Sequence, residues 1–302
     1  MAIVTQKAYG KINIALNVLN SENGYHNLDS FVCTVDKYDK IIVSSRRDKK
    51  ILVSFTGEYG FIPKEQESTN AYKSAKMFME KFNVNGVNIE IIKNIPDGGG
   101  MGGSSANISG VLKAMKKLYK IDDDVKDIAD SLGSDSGYLL NGGFARLTSR
   151  GEVVESLDIN SELCFVVIHG KKGVNTGECF KLFDQKGYDG VVCDINEVIS
   201  AVSSNNLLSL KGKTLNALTN PAKELNSEVE YNLNKLNELS PLFSSMTGSG
   251  STVFSMYESI ELAEWAVSKL KKEYGERVEI LKSIDPNKPT FLEKLFFGDR
   301  KY

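Results

Sequence analysis

Long apolar runs are missing from this chain. None of its 302 residues belongs to a stretch approaching the ~20 apolar residues that a membrane-spanning helix needs. The opening residues, Met1-Ala2-Ile3-Val4-Thr5-Gln6-Lys7, lack an apolar h-region and a cleavage site, so no membrane and a cytoplasmic location are expected. An excess of charge is also missing. With 37 basic and 39 acidic residues the net charge is −2, so a polyanion meets no overall attraction and nucleic acid is not an expected partner. Basic pairs such as Lys116-Lys117 and Lys271-Lys272 read as solvated helix faces. Histidine is scarce: His26 and His169 stand in unrelated contexts, and no C-x-x-C joins Cys33, Cys164, Cys179 and Cys193. That excludes the usual zinc spacings and points to reduced thiols, mostly buried.

What is present is ordinary globular material, 41% hydrophobic and 25% charged. A chain of this length buries enough surface to hold a core without disulfides or a structural metal. It also suits two domains, which we expect at 1–158 and 159–302. Alternation of Ile12, Ile14, Leu16 and Val18 with polar or small residues predicts a half-buried strand over 12–19. Short β-type runs follow at 31–35, 40–44 and 51–55. The period then changes: Ala71, Ala75, Phe78 and Phe82 predict a helix over 69–82, capped by Ser68, Thr69 or Asn70. Further strands are expected at 87–92, 142–148, 153–157, 163–168 and 278–282. Further helices are expected at 105–119, 123–132, 176–183, 195–203, 221–239 and 260–274. A strand–turn–strand is expected around Thr247-Gly248-Ser249-Gly250-Ser251, and the residues from Asp285 onward are left partly unassigned.

The most informative segment is Ile95-Pro96-Asp97-Gly98-Gly99-Gly100-Met101-Gly102-Gly103-Ser104-Ser105, with five glycines in eleven residues between a β-run and a helical run. Glycine lets backbone N–H groups approach a ligand closely. Feeding such a turn into a helix N-terminus makes a phosphate cradle, and Ser104 and Ser105 offer hydroxyls to phosphate or to Mg²⁺. No Gly-Lys-Ser/Thr follows, so this is not a Walker A loop, and no βαβ unit or ribose-binding acid makes it a dinucleotide fingerprint. A flexible glycine linker is the alternative; the strand–turn–Ser-Ser–helix context speaks against it.

Pro96-x-x-x-Gly100-Met101-Gly102-Gly103-Ser104 resembles the phosphate loop of the GHMP kinase superfamily. Ala8-Tyr9-Gly10-Lys11-Ile12-Asn13-Ile14 resembles its N-terminal lysine motif. Asn23-Gly24-Tyr25-His26-Asn27-Leu28, Leu132-Gly133-Ser134-Asp135 and Met246-Thr247-Gly248-Ser249-Gly250 resemble motifs of one branch, the 4-diphosphocytidyl-2-C-methyl-D-erythritol kinases. The motifs run in the family's order from about residue 8 to 256, and together they are specific where each alone is weak.

The resemblance implies an α+β, two-domain fold, a ribosomal-S5-like N-terminal half and an α/β C-terminal half, with the site between them. It implies ATP and Mg²⁺ as cofactors and a CDP-alcohol as the small-molecule partner, in a monomer or weak homodimer. It gives Asp135 the role of taking the acceptor's hydroxyl proton, and Lys11 that of orienting Asp135 and stabilising developing charge. Pro96, Gly98, Gly99, Gly100, Met101, Gly102, Gly103, Ser104 and Ser105 would hold ATP. Tyr25, His26 and Phe180 would hold the cytosine by stacking and edge hydrogen bonds. Asn13, Thr247 and Gly248 would lie near the diphosphate or the acceptor end.

Plainer readings stand beside these: a turn aspartate at 135, a surface strand lysine at 11, a core phenylalanine at 180, a hairpin connection at 247–251. His169 receives no role. The sequence departs from the branch at Asn23, at Ser134-Asp135-Ser136-Gly137-Tyr138, at Gly170-Lys171-Lys172-Gly173, and at Asn216-Ala217-Leu218-Thr219, where two acids are lost. Those changes bear on the acceptor more than on phosphoryl transfer. The rivals are a kinase of the mevalonate or homoserine type and a diverged nucleotide-binding paralogue without turnover.

Overall fold

The computed structural model describes residues 2–22, 25–188, 193–211 and 214–288. Asn23 and Gly24 of the Tyr25-His26 motif, and the end of the expected second domain from 289 to 302, lie outside the described residues.

Two long strands dominate the first half. β1 (Ile3–Glu22) and β2 (Tyr25–Ser45) pair antiparallel from Ile3↔Ser44 to Glu22↔Tyr25. The sequence suggested shorter pieces at 12–19, 31–35 and 40–44. They are continuous because β1 pairs along almost all of β2. Residues 36–39, between two of those pieces, stay within β2, although the register shifts there, between Tyr9↔Tyr38 and Lys11↔Thr34. Three irregularities bend the pair, at Tyr9/Lys11, Asn13/Ala15 and Val18/Ser21.

Two more strands share the partner edge of β2. β4 (Val87–Lys93) pairs with its second half, and β5 (Phe144–Ser149) with its first. β3 (Ile51–Gly57) lies parallel to β4, and β6 (Val153–Leu157) antiparallel to β5, so the order is β3-β4-β2-β5-β6 with β1 also on β2. A parallel pair needs a crossover, and α1 (Asn70–Phe82) supplies it; Thr69 caps it by accepting from Tyr72 N–H.

α2 (Gly103–Tyr119) lies on β1 and β2 and buries Ile108, Val111, Leu112 and Met115. Gly110 permits that approach: a Cβ there would stand 2.8 Å from both Ala8 and Ile41. α3 (Lys126–Leu132) follows, then α4 (Ser136–Asn141). The plainer sequence reading put Asp135 in a turn. In the structure it lies in one, and Ser136 begins a short buried helix.

The second half is an antiparallel sheet, β10-β7-β9-β8, formed by β7 (Cys164–Ile168), β8 (Phe243–Met246), β9 (Val253–Met256) and β10 (Val278–Lys282). Its helices are α5 (Thr176–Lys186), α6 (Ile195–Ser203), α7 (Thr219–Leu225), α8 (Ser227–Asn237) and α9 (Ile260–Tyr274). The helix expected over 221–239 is two helices. Asn226 adopts extended backbone between them, and its side chain accepts from Glu228 N–H to cap α8.

The apolar interior does not divide at the middle of the chain. One cluster joins the first sheet to Phe165, Val167, Phe254 and Leu281 of the second and to α6. A second cluster gathers α5, α7, α8 and α9 and takes in Leu16 and Val18 of β1. β1 therefore runs between both. Among the described residues, no helix is long and apolar enough to cross a membrane.

Candidate active site

Lys11 follows the first bulge of β1 and is only 3% exposed. Its backbone N–H donates to Met101 O at 3.0 Å, which ties the glycine turn to the strand. Its ammonium donates to Gly100 O at 2.9 Å and to Asn13 Oδ1, and lies 3.5 Å from Asp135 Oδ2. A buried ammonium needs this many acceptors to offset lost hydration. Asp135, the N-cap residue of α4, keeps about a quarter of its side chain exposed, so one face of the pair reaches the cleft.

The glycine turn lies against both halves. Gly100 has φ +75, and a Cβ on it would stand 2.0 Å from Thr247 O, so no other residue fits. At Gly102, φ +72, a Cβ would come 3.3 Å from the Lys11 side chain and 3.5 Å from Asp135 Oδ2; bare glycine keeps that space open. α2 starts at Gly103, so Ser104 and Ser105 lie in its first turn, where backbone N–H groups lack intrahelical partners. The two hydroxyls have different surroundings. Ser104 Oγ accepts from Asn70 Nδ2 at 2.7 Å, while Ser105 Oγ faces Gly133, two residues before Asp135. Met101 is buried, and its carbonyl receives the Lys11 bond.

The late turn completes the floor. Thr247 Oγ1 accepts from Asn13 N–H at 3.1 Å and donates to Gly100 O at 3.1 Å. Gly248 N–H donates to Asn13 Oδ1 at 3.0 Å, and Asn13 Nδ2 donates to Ser30 Oγ at 2.8 Å. Asn13's amide is thus engaged inside the protein while the residue still lines the cleft.

Two cavities meet here. One, of about 300 Å³, is bounded by the glycine turn, Lys11 and Asp135. The other, of about 1020 Å³, is bounded by Tyr25, His26, Arg150 and Asp184. Phe180, Leu28 and Ser134 line both. Tyr25 and His26 open β2 and pair with Glu22 and Ser21. The His26 ring stacks on Phe180, centroids 5.0 Å apart and 21° between planes, and its Nε2 lies 2.6 Å from Asp184 Oδ1. The Arg150 guanidinium sits 4.7 Å from the Tyr25 ring centre.

Sequence reasoning missed several of these residues. Asp39 is fully buried under the start of the glycine turn. It accepts from Lys93 Nζ at 2.5 Å, Asn107 Nδ2 at 2.7 Å, Asn94 N–H at 2.7 Å and Ile95 N–H at 2.8 Å. Asn216 is buried, and its Nδ2 holds the late turn through Met246 O at 2.6 Å and Gly248 O at 2.8 Å. Asp184 and Arg150 were also missed. Asn216 alone had a signal, its place in a segment that departs from the branch; the others become visible only through pairing register and packing.

Fold and site define a class: an ATP-using kinase for small molecules. Profiles of the GHMP kinase N-terminal and C-terminal domains match residues 70–145 and 194–276. A 4-diphosphocytidyl-2-C-methyl-D-erythritol kinase of Clostridium beijerinckii is 31% identical over 89% of this chain and 96% of its own length. One from Clostridium perfringens is 32% identical over 93% and 98%. A crystal structure of 4-(cytidine 5'-diphospho)-2C-methyl-D-erythritol kinase superposes with TM-score 0.77 at 25% identity, over 92% of this chain and 98% of that one. The chain belongs to the GHMP kinases, in the 4-diphosphocytidyl-2-C-methyl-D-erythritol kinase family. A homoserine kinase of Cytophaga hutchinsonii shares the fold, with TM-score 0.68 at 20% identity.

Proposed function

We propose that the protein transfers the γ-phosphoryl group of ATP to the 2-hydroxyl of 4-diphosphocytidyl-2-C-methyl-D-erythritol, a step of the non-mevalonate route to isoprenoid precursors. One observation carries the reading: the Lys11–Asp135 pair borders a glycine-turn cavity that adjoins a second, aromatic-lined cavity. Residues 96–105 offer backbone N–H groups and a helix N-terminus to the ATP phosphates. Tyr25, His26 and Phe180 offer ring faces and edges to the cytosine. Asp135 receives the proton of the attacking hydroxyl, and Lys11 holds that carboxylate and stabilises the charge growing on the transferring group.

Among the described residues no three His, Cys, Asp or Glu side chains gather as a metal site. Mg²⁺ would sit with the ATP phosphates in the glycine-turn cavity, whose lining includes Asp135, facing the space that Gly102 keeps open, and Ser104 and Ser105. When bound, it would neutralise phosphate charge. The domain division at 158/159, a cytoplasmic setting and a monomeric or weakly dimeric state, with no nucleic-acid partner, belong to the same reading. The test is ADP release with the CDP-alcohol, mevalonate and homoserine offered separately. Turnover with the CDP-alcohol alone is expected. ADP formation with mevalonate or homoserine, and none with the CDP-alcohol, would sink the acceptor assignment.

A further inference from the structure

Behind the glycine turn lies a row of polar groups that the proposed chemistry does not use. His169 follows β7 and is 1% exposed. Its Nε2 lies 2.5 Å from Glu279 Oε1 on β10, and the same oxygen accepts from Lys37 Nζ of β2 at 2.6 Å. Burial works to raise the Glu279 carboxyl, but the bonds from His169 and Lys37 outweigh it and hold the group below its ordinary value. A carboxylate against Nε2 draws the ring proton to that nitrogen, and in the neutral ring this leaves Nδ1 as an acceptor. Thr252 Oγ1 lies 3.5 Å from Nδ1, at the long end of hydrogen bonding.

Two routes lead from His169 to the turn. By the first, Thr252 N–H donates to Gly99 O at 3.2 Å, and Thr252 Oγ1 stands 2.8 Å from where a Cβ on Gly99 would be. By the second, the backbone after His169 packs directly on Gly98: a Cβ on Gly98 would come 3.2 Å from Gly173 Cα, and Val174 N–H donates to Gly98 O at 3.3 Å. The backbone of His169 is itself fixed. Its N–H donates to Arg277 O at 2.8 Å and its carbonyl accepts from Arg277 Nη1 at 3.0 Å.

We propose that His169 is a positioning residue for the phosphate loop, braced by Glu279 and Lys37 across the two sheets and acting through Thr252 and residues 173–174 to hold Gly98 and Gly99 in place for ATP. The inference rests on the reading of residues 96–105 as the ATP site. It gives a buried side chain outside the cleft an effect on one substrate and not on the other.

The experiment is calorimetric titration of the full chain with a non-hydrolysable ATP analogue and, separately, with CDP. His169→Leu and Thr252→Val are each expected to weaken the analogue roughly tenfold, as loss of one buried hydrogen bond does. CDP affinity should stay unchanged. The double variant should bind the analogue within about twofold of His169→Leu alone, because coupled residues are not additive. His169→Gln, whose amide still donates to Glu279, should recover part of the affinity. Analogue binding unchanged in Thr252→Val, or an equal loss for both ligands, overturns the proposal. Should His169→Leu fail to fold, Thr252→Val and His169→Gln decide it. A wild-type chain that binds no analogue sinks the ATP-site reading itself, an outcome distinct from failure in the variants alone.

Discussion

At the residue scale, the duties proposed for Asp135 and Lys11 are separable. Replacing Asp135 by Asn keeps the shape and removes the proton acceptor. Turnover should fall by roughly 10²–10⁴-fold, the usual span for a general base, while calorimetry shows ATP-analogue binding nearly intact. Folding should survive, because the Lys11 ammonium keeps Gly100 O and Asn13 Oδ1 as acceptors. Undiminished turnover would remove Asp135 from the chemistry. Glu279 gives a pH-dependent counterpart. Its folded pKa lies below the ordinary 4.5. Its contribution to stability is therefore present above about 4.5 and lost as pH falls through the lower folded value. Thermal melts should show Glu279→Gln most destabilised near pH 7, with the gap to wild type closing below pH 4. A gap independent of pH would mean that packing, not charge, is what the substitution removes.

At the element scale, the glycine turn ties backbone shape to the proposed phosphate site. Gly100→Ala demands both a left-handed φ for an ordinary residue and a Cβ 2.0 Å from Thr247 O. The strain of φ alone costs about 1–2 kcal/mol. The clash should also push the late turn away and weaken the ATP analogue more than CDP in the same titrations. Thr69 offers a plainer case. Thr69→Ala removes the side-chain acceptor for Tyr72 N–H at the start of α1. It should cost about 1 kcal/mol in denaturant melts and leave turnover unchanged, since the crossover helix would lose a cap and the cleft nothing. Much of the element plan was legible. α6, α9, β6 and β10 fall at their expected bounds, because their periodicity and end signals agree. The misses have two causes. The long hairpin of β1 and β2 and the short helix α4 are decided by partners distant in sequence, which local pattern does not report, whereas the break at Asn226 is a local N-cap inside an otherwise continuous helical period.

At the scale of the whole molecule, the shared interior has a consequence. β1 contributes Ile12 and Ile14 to one apolar cluster and Leu16 and Val18 to the other, while Phe165 and Phe254 of the second sheet pack in the first cluster. The two halves should unfold together. A urea titration followed by far-UV circular dichroism and by the fluorescence of Trp265 should give one coincident transition; two separated midpoints would show independent units. The continuity also suits the site. The loop that would hold phosphates is fixed on one side by Lys11 and Asp39 of the first sheet and on the other by Thr247 and Thr252 beside the second.

The sequence by itself determined the class of chemistry. The motifs stand in the order of the GHMP kinases, and through that resemblance Lys11, Asp135, Tyr25, His26 and residues 96–105 could be named as candidates before any fold. Tertiary structure decided what holds them. Asp39 meets Lys93 and Asn107 only through strand register and helix packing. Asn216 reaches the late turn only because that segment passes beside β1. His169, mute in the sequence, acquires a place only when β7, β9 and β10 lie side by side. The physical reason is the same in each case. A reactive group is recognised by its own atoms, whereas a supporting group is defined by the distance to its neighbour, and distance belongs to the folded chain.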